Sequence, residues 1–168
     1  FDPNDKSPDT KYDWSYSALI KVKNLLEHFE MISIGTIGQL SNVRKLLLAG
    51  DAGSGKTHLL CDITINRNTA NKPLPTILVF GENFNGNDDP ISQITKQLDL
   101  NISAQSFLKQ LNKKAIECKT RSLIMIDALN ETASLTYWKK NLNKLLKAID
   151  PYPNIALVLS IRTGFEHE

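Results

Sequence analysis

Four short runs of consecutive apolar residues recur along the chain: Lys45–Ala49 (KLLLA), Thr76–Phe80 (TILVF), Ser122–Ile126 (SLIMI) and Ile155–Ser160 (IALVLS). None alternates apolar with polar positions, so each predicts a strand covered on both faces. That is the mark of a parallel sheet held between helical layers. Segments between the runs carry apolar residues at helical spacing. The spacing predicts helices over Thr57–Arg67 and over Pro90–Leu98, the latter with Asp89 as its cap and Pro90 at its first position. Ser103 caps a third helix with Phe107, Leu108, Leu111 and Ala115 on one face. A fourth, Ala133–Ile149, carries Leu135, Trp138, Leu142, Leu145, Leu146 and Ile149, and Pro151 helps end it. Strands alternating with helices predict an α/β fold. Upstream, Tyr16, Leu19, Ile20, Leu26 and Phe29 mark an amphipathic helix over residues 15–31, and Gly35 and Gly38 punctuate the segment after it. Residues 1–14 are polar and Pro-bearing and read as a linker or arm; residues 15–168 read as a single domain.

The 168 residues, 41% of them hydrophobic, suffice for one domain with its own core. Basic residues number 20 against 18 acidic, a net charge of +2 without a basic cluster. That argues against a nucleic-acid partner for this domain; Lys113-Lys114 and Lys139-Lys140 read as solvated helix faces. Cys61 and Cys118 form neither a CxxC pair nor a disulfide framework. Both fall in predicted helices, which points to buried packing and a reducing, cytoplasmic location. No apolar run approaches the roughly 18 residues of a membrane span, and no signal peptide is expected. The first residue is Phe1 rather than Met, so the chain is expected to be part of a longer protein.

Between the first strand and the first helix lies Gly50-Asp51-Ala52-Gly53-Ser54-Gly55-Lys56-Thr57, which fits GxxxxGK[ST] at every defined position. Its glycines permit backbone conformations that turn successive N–H groups inward around phosphate oxygens. The next helix points its positive dipole end at the same anion. Lys56 is placed to reach the β- and γ-phosphates and the Thr57 hydroxyl to ligate Mg2+. His58 reads as a helix residue beside the nucleotide rather than a catalyst.

The run Leu123-Ile124-Met125-Ile126 ends in Asp127, the Walker B form: a carboxylate at the carboxyl end of a sheet strand, where ligands bind in open α/β folds. Asp127 is expected to hold Mg2+ through its water shell. The next acid, Glu131, is the candidate for polarising the attacking water; its other reading is a helix cap or a solvated acid. Asn130 could orient water but is a poor base. The fourth strand ends Ser160-Ile161-Arg162-Thr163. Arg162 suits sensing of a γ-phosphate, because guanidinium forks onto phosphate, or else pairs with a nearby acid. The pattern resembles P-loop proteins of the additional-strand class, in which the sensor strand lies beside the phosphate-loop strand. That resemblance implies a three-layer core with strand order 2-3-4-1 and a fifth strand and lid beyond Glu168. Neither Asn112-Lys113-Lys114-Ala115 nor Thr95-Lys96-Gln97-Leu98 supplies the Asp of a guanine-reading motif, so adenine is favoured. The segment Ser15 to Arg44 is expected to cover the base and ribose.

The string Ile126 to Glu131 (IDALNE) resembles the Walker B of STAND NTPases, the signal-transduction ATPases that include NACHT domains. AGDAGSGKTHLL, GENFNGNDDP and PNIALVLSIRTGFE resemble the corresponding segments of the prokaryotic antiviral (AVAST-type) branch, over roughly residues 15–168. The resemblance implies a switch: an effector, this NTPase core and a helical-repeat sensor in one protein, with a trigger protein driving ATP-dependent self-association. It carries Lys56 and Thr57 over as phosphate and Mg2+ residues, Asp127 for Mg2+, Glu131 for hydrolysis and Arg162 as sensor. ATP and ADP are then the ligands and catalysis is slow. The alternative is an AAA+-type ATPase linked to nucleic acid, such as a helicase loader or replication initiator. Those usually place Asp-Glu adjacently, whereas Ala128 follows Asp127 here.

Overall fold

The computed structural model describes residues 19–27, 35, 39, 42–134 and 136–165. Contacts divide the chain into residues 1–43 and residues 44–168, and each part is taken by itself. In the first, residues 19–27 are helical and carry exposed Leu19, Leu25 and Leu26. The remainder of the helix expected over 15–31, and the arm expected over 1–14, lie outside the described residues.

The second part runs β1 (Lys45–Gly50), α1 (Lys56–Thr69), β2 (Thr76–Phe80), α2 (Pro90–Gln97), α3 (Ala104–Glu117), β3 (Ser122–Asp127), α4 (Thr136–Ile149) and β4 (Ile155–Arg162). Single-turn 3-10 helices, Gly81–Asn83 and Leu129–Glu131, come after β2 and β3. The strands form one parallel sheet in the order β1-β4-β3-β2. Read from its other edge this is 2-3-4-1, the order expected of a P-loop NTPase core. The chain crosses from β1 to the far edge at β2 and then steps back through β3 to β4. With right-handed crossovers, that reversal puts α1 on one face and α2, α3 and α4 on the other. α1 packs on β2 and β3, whereas α2 packs on α3 and α4, and α3 on β3 and β4.

Local chemistry sets the helix ends. Asp89 accepts a hydrogen bond from the Ser92 N–H at 3.0 Å and Ser103 one from the Ser106 N–H at 3.2 Å, so both expected caps form. α4 starts at Thr136 rather than Ala133. Thr132 closes the preceding 3-10 turn, its hydroxyl donating to Leu129 O at 2.8 Å. Leu135 lies outside the described residues.

The core fills the α2–α3–α4 face, where Phe84, Ile91, Ile94, Ile124, Ile126, Leu145, Ile149 and Ile155 are fully buried. Each such side chain contributes about 1.5–3 kcal/mol relative to exposure. The central strands β3 and β4 are buried almost throughout. β1 departs from the expectation of two covered faces: Leu46 is 42% and Leu47 50% exposed. Among the described residues β1 is an edge strand, with β4 as its one partner in the sheet. Cys61 and Cys118 are free and half-buried rather than packed in the core, and Cys118 caps the end of α3. Among the described residues, no helix is long and apolar enough to cross a membrane.

Candidate functional site

The loop after β1, the tips of β3 and β4 and the start of α1 meet in a cavity of about 450 Å3. Residues 52–58 form one wall, Asp127, Ala128, Asn130 and Glu131 a second, and Ser160 and Arg162 a third. β1 ends at Gly50, and the loop turns through a bond from the Ser54 N–H to Asp51 O at 3.2 Å. Gly53 (φ 76°) and Gly55 (φ 83°) hold left-handed backbone, which would cost an L-residue with a Cβ about 1–2 kcal/mol. Gly55 occupies the N-cap of α1 and no side chain caps the helix. The first-turn N–H groups, at the positive end of the dipole, are thus left for an acceptor from outside the helix.

Gly50 and Asp51, both expected to bind ligand, are not on the cavity wall. Their carbonyl oxygens accept from Lys56 Nζ at 2.7 and 2.8 Å, and Ser54 Oγ lies 3.2 Å from the same ammonium. The three donors of the lysine are therefore satisfied inside its own loop.

Thr57 Oγ1 donates to Asp127 Oδ2 at 2.6 Å, joining the start of α1 to the end of β3. The other carboxylate oxygen, Oδ1, accepts from Ser160 Oγ, and that hydroxyl in turn accepts from the Ala128 N–H at 2.8 Å. Asp127 is 2% exposed and Ser160 fully buried. Ala128 is left-handed at φ 55°, ψ 59°, at a cost of about 1–2 kcal/mol for a non-glycine residue. Its carbonyl is pressed against Gly81, where an added Cβ would lie 2.1 Å from Ala128 O.

Farther out, the Arg162 N–H donates to Asn130 Oδ1 at 3.0 Å, and the Thr163 N–H to Gly50 O at 3.1 Å. The tip of β4 is thus bonded both to the turn after β3 and to the root of the loop. Glu131 is exposed in the 3-10 turn on the cavity wall and does not cap α4. Neither Glu131 nor the exposed Arg162 makes an ion pair among the described residues. His58 is exposed on the wall.

The structure therefore brings Lys56, Thr57, His58, Asp127, Glu131 and Arg162 around one cavity. It adds Ser160 and Gly81, neither of which stood out in the sequence. A lone serine within an apolar strand is the available signal for the first. The second needs the approach of two strand ends. Among the described residues there is no group of three or more His, Cys, Asp or Glu side chains able to hold a metal by themselves. Mg2+ does not demand one, because it is usually held by one or two protein oxygens, waters and phosphates. The Thr57 hydroxyl, whose proton is directed to Asp127, keeps lone pairs for such a cation, so this donor set fits.

No protein-family model matches the chain, and no curated protein matches it. Solved structures that resemble it do so distantly. The chain is 16% identical to a chain of Drosophila ORC bound to AT-rich DNA and Cdc6, with a TM-score of 0.43, covering 95% of this chain and 54% of that one. It is 16% identical to the Aeropyrum pernix ORC2 protein in ADPNP-ADP complexes (TM-score 0.42, 83% and 40% covered). It is 15% identical to a chain of the E. coli MS115-1 HORMA:CdnC:Trip13 complex (TM-score 0.43, 87% and 50% covered). The chain spans about half the length of these proteins.

Proposed function

We propose that this chain binds ATP with Mg2+ and hydrolyses it slowly, as the switch domain of a STAND-type NTPase. One observation carries the reading. Thr57 Oγ1 lies 2.6 Å from Asp127 Oδ2, although the two residues are 70 apart in sequence. A glycine-rich loop can match GxxxxGK[ST] by accident. Such a match has no reason to deliver its last hydroxyl onto the acid that ends another apolar strand.

In this reading the loop amides and the N-terminus of α1 receive the phosphates. Lys56 exchanges its bonds to the neutral acceptors Gly50 O and Asp51 O for bonds to the anionic β- and γ-phosphate oxygens, so that both partners carry charge. Thr57 and Asp127 would hold Mg2+, which neutralises charge on the β- and γ-phosphates. Glu131, exposed on the cavity wall, orients and deprotonates the attacking water. Arg162 reads the γ-phosphate from the tip of β4. Adenine is favoured because no guanine-reading Asp motif is present in the sequence. The IDALNE string of Ile126–Glu131 supports the STAND class, and with it ATP-dependent self-association and a trigger protein in antiviral defence.

Isothermal calorimetry with ATPγS and Mg2+ tests the binding step. The wild-type chain is expected to bind and Lys56→Ala to show no measurable heat. Equal affinity of the two overturns the loop assignment.

A further inference from the structure

Resting on the nucleotide reading above, we propose that Ser160 is a positioning residue of this site. Its buried hydroxyl sets the Asp127 carboxylate in the orientation that serves Mg2+, and so makes the tip of β4 part of the metal-binding apparatus.

The pairing of β3 with β4 ends at Ile126 and Leu159. β3 stays paired with β2 through Asp127 and then turns, at Ala128, into left-handed backbone. The Ala128 N–H and the side-chain oxygen Asp127 Oδ1 both meet one side chain there. Ser160 Oγ accepts from the first and donates to the second. A hydroxyl does both strongly with one atom. An aliphatic residue at this fully buried position would leave a donor and an acceptor unsatisfied together.

The remaining carboxylate oxygen is held by Thr57. Asp127 is consequently gripped from two sides, by the helix after the phosphate loop and by β4. Two fixed donors leave the carboxylate no free rotation. Carboxylates that serve metal ions are commonly oriented by such outer hydrogen bonds, and their loss weakens metal binding. The Arg162 N–H bond to Asn130 Oδ1 fixes the other end of the same turn. Removing the Ser160 hydroxyl therefore releases the acid without touching the phosphate loop. It separates metal binding from phosphate binding.

The test is calorimetric titration of ATPγS into the whole chain, in EDTA and in Mg2+, for wild type, Ser160→Ala, Ser160→Cys and Ser160→Thr. Wild type is expected to gain affinity on adding Mg2+. Ser160→Ala is expected to keep its affinity in EDTA within about twofold and to lose about tenfold or more of the Mg2+ gain. Ser160→Thr, which keeps the hydroxyl, is expected to retain most of the gain. Packing alone would not give that rescue, since threonine adds a methyl to a full site. Ser160→Cys keeps a slightly larger polar atom and a weak donor in place of the hydroxyl, so it is expected to lose the gain as well and serves as the second variant where Ser160→Ala does not fold. A Mg2+ gain that survives in Ser160→Ala or Ser160→Cys overturns the proposal and leaves nucleotide binding standing. A wild type that binds equally with and without Mg2+ does the same. A wild type that binds ATPγS under neither condition overturns both.

Discussion

Gly81 shows how a residue can matter without touching any ligand. Its Cα faces the carbonyl of Ala128, and a methyl there would sit 2.1 Å from that oxygen. Gly81→Ala must push the Asp127–Ala128 corner aside. It is expected to lower stability by about 1–3 kcal/mol, as overpacking does, and urea unfolding checks this. Glu131 poses the opposite case, exposed and structurally dispensable. Glu131→Gln is expected to leave ATPγS affinity unchanged and to cut ATP turnover in the full-length protein by about 100-fold. Unchanged turnover would remove Glu131 from the chemistry. At this scale the sequence was legible wherever the chemistry is local. Gly50 to Thr57 carries its meaning in eight consecutive positions. Ser160 was not legible, because the Asp127 oxygen it serves is 33 residues away and on another strand. Nor could spacing reveal that Lys56 folds back on Gly50 O and Asp51 O.

Among the elements, the loop between the Gly81–Asn83 turn and α2 is held by side chains rather than by regular structure. Buried Gln93 accepts from the Asn85 N–H at 3.0 Å and donates to Asn85 O and Asp88 O. Tyr137 OH accepts from Gln93 Nε2 at 2.9 Å and donates to Asp88 O at 3.1 Å, tying this loop to α4. Phe84 seals it beneath, its ring centroid 5.0 Å from that of Trp138. Burial pushes the Tyr137 phenol up to about 12, and the nearby Asp89 and Asp88 carboxylates act in the same direction. The folded phenol thus holds its proton where the unfolded one loses it. Its contribution to stability is complete below about pH 10 and disappears as pH rises through about 12. Tyr137→Phe is expected to flatten that alkaline loss and to cost about 1–2 kcal/mol at neutral pH. Chemical denaturation across pH measures both. The elements themselves were legible because β2, β3 and β4 are continuous apolar runs and Asp89 and Ser103 cap as their types predict. The exposure of β1 was hidden, since KLLLA reads like a central strand and sheet position depends on the other three.

For the whole molecule, a four-stranded parallel sheet brings the tips of β1, β3 and β4 to one end, and the cavity lies there. The 2-3-4-1 order was legible only through resemblance, since no spacing in the sequence places β4 between β1 and β3. With a net charge of +2 and no basic cluster in the sequence, ATP turnover of the full-length protein is expected to be unchanged by added DNA. Strong stimulation would favour a nucleic-acid-linked ATPase. The most direct measurement is a crystal structure of this chain with a nonhydrolysable ATP analogue and Mg2+. The triphosphate is expected inside the turn of residues 50–57, with Lys56 Nζ moved from Gly50 O and Asp51 O onto phosphate oxygens and the Thr57–Asp127 contact kept beside the ion. An analogue bound elsewhere, with Lys56 still folded onto its own loop, would contradict nucleotide binding at this site.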